Sequence, residues 1–281
     1  MSPIRIDADY SGGRLERFSE FRSTFALTRT IDVWLPPGYD DAGATHYPVI
    51  YMHDGQNLFE PADAFIGVDW GIDEALVRLM AEGATQGAIV VGVWNTEQRR
   101  REYMPEQPLL APEARQVALE FRRDHAGAPI SDGYLRMLVE EVRPLIDDFY
   151  HAYTDRDHTL IMGSSMGGLI SLYAACEYPD IYGRAGCLST HWSISGSQLV
   201  QAMAEMLPRP GTHRFYFDYG TETVDAFYEP FQLEMDQAME QTGYVRGKDW
   251  ITRKFEGAEH SERAWRARVE IPLRFLLEGL S

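Results

Sequence analysis

The sequence has too few cysteines for a disulfide framework or a cysteine-rich metal site. Cys176 and Cys187 are the only two in 281 residues, and neither belongs to a C-x-x-C pair. Small disulfide-stapled folds and structural zinc sites need several cysteines at close spacing. We therefore expect two buried, reduced thiols and no bound metal.

Positive charge is also scarce. The chain carries 26 Lys and Arg residues against 43 Asp and Glu residues, so its formal net charge is −17. A surface of this sign repels phosphate backbones and anionic lipid head groups. Nucleic acid and membrane surfaces are therefore not expected as partners.

Long apolar segments and repeats are missing as well. No stretch reaches the ~18 apolar residues of a membrane span, and residues 1–20 lack the apolar core of a signal peptide. A cytoplasmic protein is expected. Because no internal repeat and no Gly/Ser-rich or Pro-rich linker divides the chain, the sequence predicts one domain over residues 1–281.

What the sequence does contain is a repeated alternation of short apolar runs with longer helical patterns. The predicted strands are 24–35, 47–52, 88–94, 159–162, 183–188, 214–219 and 250–255; the predicted helices are 72–82, 131–150, 165–178, 197–206, 225–242 and 261–280. This order predicts a mostly parallel, doubly wound α/β sheet that begins with antiparallel N-terminal strands. In such a sheet an active site lies at the carboxyl ends of the strands.

One motif in this alternation carries chemistry. Residues 163–168 read Gly-Ser-Ser-Met-Gly-Gly, a GxSxGG pattern between a predicted strand and a predicted helix. Glycines two residues to either side of Ser165 leave room for a tight turn that exposes its hydroxyl group above a helix N-terminus. We interpret Ser165 as a nucleophile; the alternative is a glycine-rich structural turn.

A serine hydroxyl needs a base, and three histidines follow Ser165 in the sequence. His260 lies in a small-residue loop after the last predicted strand, where the base of this arrangement belongs. His213 precedes a strand, at the wrong end of the sheet. His191 follows a strand at the correct end and is better suited to a pocket wall. We predict that His260 is the general base.

The carboxylate that orients the base should follow the strand 214–219. Asp225 and Glu222 both qualify, because the usual position, three residues after the glycine of that loop, is occupied by Thr223. We favour Asp225 and keep Glu222 as the alternative. A structural Asp218, or an Asp225 that only caps the following helix, would leave the acid unassigned.

Acyl transfer also needs hydrogen-bond donors for the oxyanion. The backbone N–H of Met166 is the first candidate, because it follows the nucleophile. The second lies in the loop after strand 47–52, where we choose Gln56 ahead of Gly55. His53 and Asp54 in the same loop do not amount to a metal site.

The polar, proline-containing segment 95–130 is expected to form a pocket wall. Trp94, Arg101, His191 and Trp192 are the candidate substrate contacts, and an arginine in this segment could clamp a carboxylate. The alternative for the arginines is a solvated loop in which they pair with glutamates. For the aromatic residues the alternative is a place in the core.

These motifs together resemble the putative-esterase family of the α/β-hydrolases. The resemblance rests on the run Tyr51–Phe59, the GSSMGG motif and the loop Gly257–His260, and it covers about residues 24–277. That family includes esterase D-like enzymes, feruloyl and acetyl-xylan esterases, siderophore trilactone esterases and mycolyltransferases. The resemblance implies an α/β-hydrolase fold and a serine hydrolase without a cofactor.

We therefore expect a serine carboxylesterase that acts on a small-molecule ester, with an acetyl or hydroxycinnamoyl ester of a carbohydrate as one option. An acyltransferase to a sugar or alcohol would use the same residues. A catalytically silent binding protein of this fold is the non-enzymatic alternative. The sequence leaves open whether copies of the chain form a homo-oligomer.

Overall fold

The computed structural model describes residues 2–280, and its centre is one nine-stranded sheet. The strands are β1 (Ile4–Tyr10), β2 (Gly13–Phe21), β3 (Arg29–Leu35), β4 (Val49–His53), β5 (Ile89–Val93), β6 (Thr159–Ser164), β7 (Arg184–Leu188), β8 (Arg214–Gly220) and β9 (Trp250–Phe255).

Helices fill most of the connections between these strands. They are α1 (Ile72–Ala81), α2 (Arg99–Glu102), α3 (Arg115–Asp124), α4 (Ser131–Met137), α5 (Arg143–Phe149), α6 (Met166–Glu177), α7 (Ser197–Glu205), α8 (Glu229–Thr242), α9 (Glu262–Arg266) and α10 (Glu270–Leu277). No helix within residues 2–280 is long and apolar enough to cross a lipid bilayer.

The sheet order is β1-β2-β3-β5-β4-β6-β7-β8-β9. The pairs from β1 to β3, and the pair of β3 with β5, are antiparallel, whereas all pairs from β5 to β9 are parallel. The predicted fold class, a mostly parallel sheet with antiparallel N-terminal strands, is confirmed. The predicted strand 24–35 is shorter than expected, since only residues 29–35 pair.

The strand sequences explain how two apolar cores form. In β4 every residue is buried, with Val49 and Tyr51 in one core and Ile50 and Met52 in the other. Successive side chains of a strand point to opposite faces, so a continuous apolar run is expected where helices cover both faces of a sheet. The helix α1 and the helix α10 contribute to the core that contains Ile50.

Two predicted helices are interrupted, in both cases at a proline. Segment 131–150 contains a π-helical turn, Leu138–Val142, before Pro144. Segment 261–280 divides into α9 and α10 before Pro272. Proline has no N–H for the carbonyl four residues earlier and its ring crowds that carbonyl, which favours a widened turn or a break.

The strand order determines where a ligand site can form. From β4 the chain moves outward to β5, then returns to place β6 on the other side of β4. The loops that follow β4 and β6 therefore diverge and leave a crevice at the carboxyl ends of these strands. Ser165 and Gln56 lie in these two loops.

A buried ion pair attaches the start of the 95–130 segment to the sheet. Arg29 of β3 and Glu102 of α2 are both buried, and Arg29 Nη2 lies 2.5 Å from Glu102 Oε1. The hydroxyl group of Thr96 also donates to Glu102, at 3.2 Å. These bonds fix α2 against the antiparallel half of the sheet.

We expect Arg29→Met to lower the free energy of unfolding by about 3–5 kcal/mol, because it leaves the Glu102 carboxylate buried without its partner. Urea denaturation measures the change. The double variant Arg29→Met, Glu102→Met should lose less, since no buried charge remains unpaired. As a control, Arg123→Met removes an exposed pair with Asp124 and should change the free energy by less than about 0.5 kcal/mol. A loss below about 1 kcal/mol for Arg29→Met would contradict this account.

Candidate active site

The turn between β6 and α6 holds Ser165 in an unusual backbone conformation. Its φ of 59° and ψ of −122° lie outside the regions that residues with a side chain normally adopt. A Cβ atom added to Gly163 would lie 2.9 Å from the carbonyl carbon and oxygen of Gly167, so the two glycines permit the close approach that closes the turn. Strain of this kind persists where the surrounding structure enforces it, typically at functional sites.

The helix that begins after this turn points its N-terminus toward Ser165. Met166 is the first residue of α6, and the amides of a first helical turn have no acceptor within the helix. Such amides attract negative charge. Gln56 lies in a 3₁₀ turn after β4 and lines the cavity that contains Ser165. The side-chain Oε1 of Gln56 accepts a hydrogen bond from the backbone N–H of Asn95, at 3.2 Å, and the backbone N–H of Gln56 is the candidate donor.

A histidine and an aspartate meet beside this turn. The distance between His260 Nδ1 and Asp225 Oδ1 is 2.6 Å. His260 follows β9, and its backbone N–H donates to Thr223 Oγ1 at 2.9 Å. Asp225 is buried in the 3₁₀ turn Thr223–Phe227 after β8, whereas Glu222 is exposed at the start of that turn. Of the two candidate acids, Asp225 is the one bonded to His260.

Further hydrogen bonds hold the Asp225 carboxylate. Its second oxygen accepts from Ser189 Oγ and from the Gly220 amide, both at 2.6 Å. Burial would raise the pKa of Asp225, but the bonds from His260 and Ser189 outweigh it and lower the pKa below its usual value. The carboxylate therefore stays ionised, and it can fix the His260 ring with Nε2 free to accept a proton.

Ser189 and Arg268, behind Asp225, were not among the residues that the sequence motifs identified. Ser189 Oγ accepts hydrogen bonds from Trp265 Nε1, at 3.0 Å, and from Arg268 Nη2, at 2.9 Å. Arg268 also pairs with Asp218, at 2.9 Å, so Asp218 has a structural role behind the loop. The position of Ser189, directly after β7, is the only sequence signal that pointed here.

Ser165 and His260 line one cavity of about 440 Å³. The residues around it are mostly polar: Asp54, Gln56, Asn57, Phe65, Asn95, Arg99, Arg100, Ser164, Ser165, His260, Glu262 and Trp265. Within residues 2–280 no hydrogen bond joins the Ser165 hydroxyl to His260 directly. Catalytic hydrogen bonds are often long without substrate and shorten in the complex.

None of the four predicted substrate contacts lines this cavity. Trp94 Nε1 donates to Asp32, at 2.8 Å. Arg101 Nε donates to the carbonyl of Ala128, at 2.7 Å, so its side chain holds two parts of the 95–130 segment together. Trp192 is fully buried in the core. In each case a hydrogen-bond partner within the protein, which the sequence could not show, draws the side chain away from the cavity.

The fourth predicted contact, His191, lies behind the nucleophile. Its backbone N–H donates to the Ser165 carbonyl, at 3.2 Å, and its Nδ1 lies 2.5 Å from the Tyr228 hydroxyl. Burial, followed by the charge of Arg100, lowers the pKa of His191 to about 4. His191 is therefore neutral near pH 7 and supports the turn and Tyr228.

Ion pairing fixes the loop after β4 that contains the candidate donor Gln56, called the oxyanion loop below. Arg99 of α2 binds Asp54 with two hydrogen bonds, at 2.6 and 2.7 Å, and Asn95 Nδ2 donates to the same carboxylate at 2.6 Å. Burial opposes ionisation of Asp54, but Arg99 lowers its pKa below the usual value. Asp54 has a φ of 57°, so these contacts hold a left-handed residue directly before Gly55.

Contacts of His53 and of the Asp54 amide with two buried tyrosines also hold this loop. His53 Nδ1 lies 2.8 Å from the Tyr134 hydroxyl, and the Asp54 amide donates to the Tyr103 hydroxyl at 3.2 Å. Burial lowers the pKa of His53 to about 3, so the ring is neutral. Within residues 2–280 no group of three or more His, Cys, Asp and Glu side chains is arranged to hold a metal ion.

Comparison with known proteins places this site in a family context. Residues 23–273 match the family described as Putative esterase. The chain is 28% identical over 202 residues to YbbA, an uncharacterized protein of Bacillus subtilis (strain 168), and the match covers 70% of each chain.

Two solved structures show the same fold. An IroE-like serine hydrolase from Shewanella oneidensis aligns with a TM-score of 0.71 and 17% identity, covering 94% of this chain and 80% of the other. The feruloyl esterase module from Clostridium thermocellum aligns with a TM-score of 0.66 and 18% identity, covering 100% of this chain and 95% of the other. The resemblance inferred from the sequence motifs is confirmed at the level of family and fold.

The buried neutral His53 predicts a specific pH dependence of stability. Its pKa of about 3 in the folded chain lies below the ~6.5 of an unfolded histidine. The unfolded state therefore binds an extra proton below pH ~6.5, and the stability that His53 contributes above that pH is lost progressively as the pH falls toward 3. The slope from one such group is at most about 1.4 kcal/mol per pH unit.

Urea denaturation between pH 5 and 8 measures this slope. We expect His53→Gln to show a smaller loss of unfolding free energy on acidification than the wild type. His46→Gln, at an exposed histidine, is the matched control and should follow the wild-type slope. Equal slopes for His53→Gln and the wild type would contradict the assignment of a neutral buried ring.

Proposed function

The chain belongs to the putative esterase family, and from this premise we propose that it is a serine carboxylesterase. In this proposal Ser165 attacks the carbonyl carbon of an ester, and His260 Nε2 accepts its proton. The observation that carries the proposal is that Ser165, in its strained turn, and His260, whose ring is bonded to Asp225, line one cavity. The description of one structural relative as a serine hydrolase supports the same type of nucleophile.

The negative oxygen that forms in the tetrahedral intermediate would be bound by the backbone N–H groups of Met166 and Gln56. When the intermediate collapses, the bond to the alcohol breaks and His260 returns the proton to the departing oxygen. Water then attacks the acyl-enzyme with His260 again as base, which releases the acid and restores Ser165. Asp225 holds the imidazole in the required tautomer throughout.

Hydrolysis is favoured over acyl transfer by the cavity lining. Most of the side chains around Ser165 are charged or carry amides, so water has access to an acyl-enzyme. An acyltransferase must exclude water from the same intermediate. Product analysis with and without added sugars or alcohols tests this distinction.

The acyl group is the finer part of the proposal. The cavity has two aromatic side chains, Phe65 and Trp265, in place of the expected Trp94 and Trp192. Together with the feruloyl esterase relative, these two rings make a hydroxycinnamoyl ester a reasonable first substrate to compare with an acetyl ester. An activity screen over acetyl, longer acyl, feruloyl and lactone esters identifies the preferred class.

The nucleophile is tested by Ser165→Ala. We expect kcat on p-nitrophenyl acetate to fall by about 10⁶, with the residual rate due to binding and oxyanion stabilisation. Retention of more than about a tenth of the wild-type rate would rule Ser165 out. A fluorophosphonate probe should label the wild type and not the variant; a wild type that resists labelling would instead favour a silent binding protein.

The acid is tested by comparing Asp225→Asn with Glu222→Gln. Asp225→Asn should lower kcat by about 10⁴, because the amide leaves His260 in the wrong tautomer. Glu222→Gln is the matched control, since Glu222 is exposed in the same loop, and it should keep kcat within about twofold. A larger loss for Glu222→Gln would reverse the assignment.

A further inference from the structure

The helix α2 presents three consecutive arginines, and two of them are occupied by the protein. Arg99 is bound to Asp54 in a bidentate ion pair, and Arg101 donates to the carbonyl of Ala128. Arg100, between them, is exposed and lines the cavity with Ser165 and His260. Within residues 2–280 its guanidinium forms no ion pair and no hydrogen bond.

The position of Arg100 is fixed although its side chain is free. On the same helical turn, Arg99 binds Asp54 at the oxyanion loop and Glu102 binds Arg29 of the sheet. A guanidinium on a rigid backbone loses less entropy when it binds a ligand than one on a mobile loop. The backbone that carries Arg100 is therefore already fixed beside the cavity before a ligand binds.

The charges around Arg100 leave it available to an anion. Burial, followed by the charge of Arg99, lowers the pKa of Arg100, and the nearby ring of His191 is neutral near pH 7. The carboxylate of Asp54 is satisfied by Arg99, and that of Asp225 by His260. Glu262 also lines the cavity, and burial raises the pKa of its carboxyl group.

We propose that Arg100 is a specificity-determining residue that binds a carboxylate of the substrate, so that the preferred ester is anionic. This inference rests on the proposed esterase activity. The planar guanidinium donates two parallel hydrogen bonds to a carboxylate, a geometry that a lysine cannot provide. The carboxylate could belong to the acyl part of the ester or to its alcohol part, and Arg100 would bind it in either case.

Two pairs of matched esters test the proposal and separate these sources. For the acyl side, p-nitrophenyl hydrogen adipate is compared with p-nitrophenyl hexanoate. For the alcohol side, 4-acetoxybenzoate is compared with its methyl ester. The measured quantity is the ratio of kcat/KM for the anionic ester to kcat/KM for the neutral one.

In Arg100→Gln we expect this ratio to fall about 10- to 100-fold in at least one pair, mainly through KM, because a charge-assisted hydrogen bond is lost. Arg100→Lys should give a smaller fall. Arg209→Gln is the matched control: Arg209 is exposed in the loop before β8, at the opposite end of the sheet, and its substitution should leave both ratios within about twofold. The pair that responds identifies which part of the substrate carries the anion.

An unchanged ratio in both pairs would overturn the proposal for Arg100 even if the neutral esters are hydrolysed through Ser165. A wild type that hydrolyses none of the four esters would instead contradict the proposed function. Thermal denaturation of Arg100→Gln provides the check on folding, and an unchanged melting temperature is expected because the guanidinium has no partner within residues 2–280.

Discussion

The hydrogen bond between His260 and Asp225 is the interaction on which the rest of the site depends. It joins the loop after β8 to the loop after β9, across 35 residues of sequence. The Asp225 carboxylate is held in place by Ser189 and Gly220, which donate hydrogen bonds to its second oxygen. Arg268 supports Ser189 and also neutralises Asp218. Three neighbouring strands, β7, β8 and β9, therefore contribute to the position of one imidazole ring.

The conformation of Ser165 is the second constraint, and it is a steric one. A backbone φ of 59° in a residue with a side chain raises the free energy of the folded state by about 1–3 kcal/mol, and neighbouring interactions must offset this strain. The Ser165 amide donates to the carbonyl of Leu188, at 2.8 Å, and its carbonyl accepts from His191. Gly163 and Gly167 approach so closely that a Cβ atom on Gly163 would clash with the Gly167 carbonyl. In this turn the half-buried Ser165 lines the cavity.

Charge is distributed unevenly in this acidic protein. Its formal net charge is −17, yet several buried or partly buried arginines lie near the candidate site. Arg99, Arg29 and Arg268 each bind a carboxylate close to a loop that carries a proposed catalytic group. Removing one partner from such a buried pair would leave the other charge without compensation, which lowers the free energy of unfolding. Arg100 differs in having no such partner, which is why the proposal for an anionic ester rests on it.

The sequence alone predicted the alternation of strands and main helices from β3 onward, the GxSxGG turn and the small set of residues from which the proposed triad could be drawn, but not β1, β2, α2 or α3. These features depend on local periodicity and on glycine sterics, which act over a few residues. The choice between Asp225 and Glu222, the role of Ser189 and the positions of Trp94, Arg101 and Trp192 were decided only by tertiary structure. Each depends on a hydrogen-bond partner or on packing against residues distant in sequence, and side-chain direction follows from such partners, which no local pattern encodes.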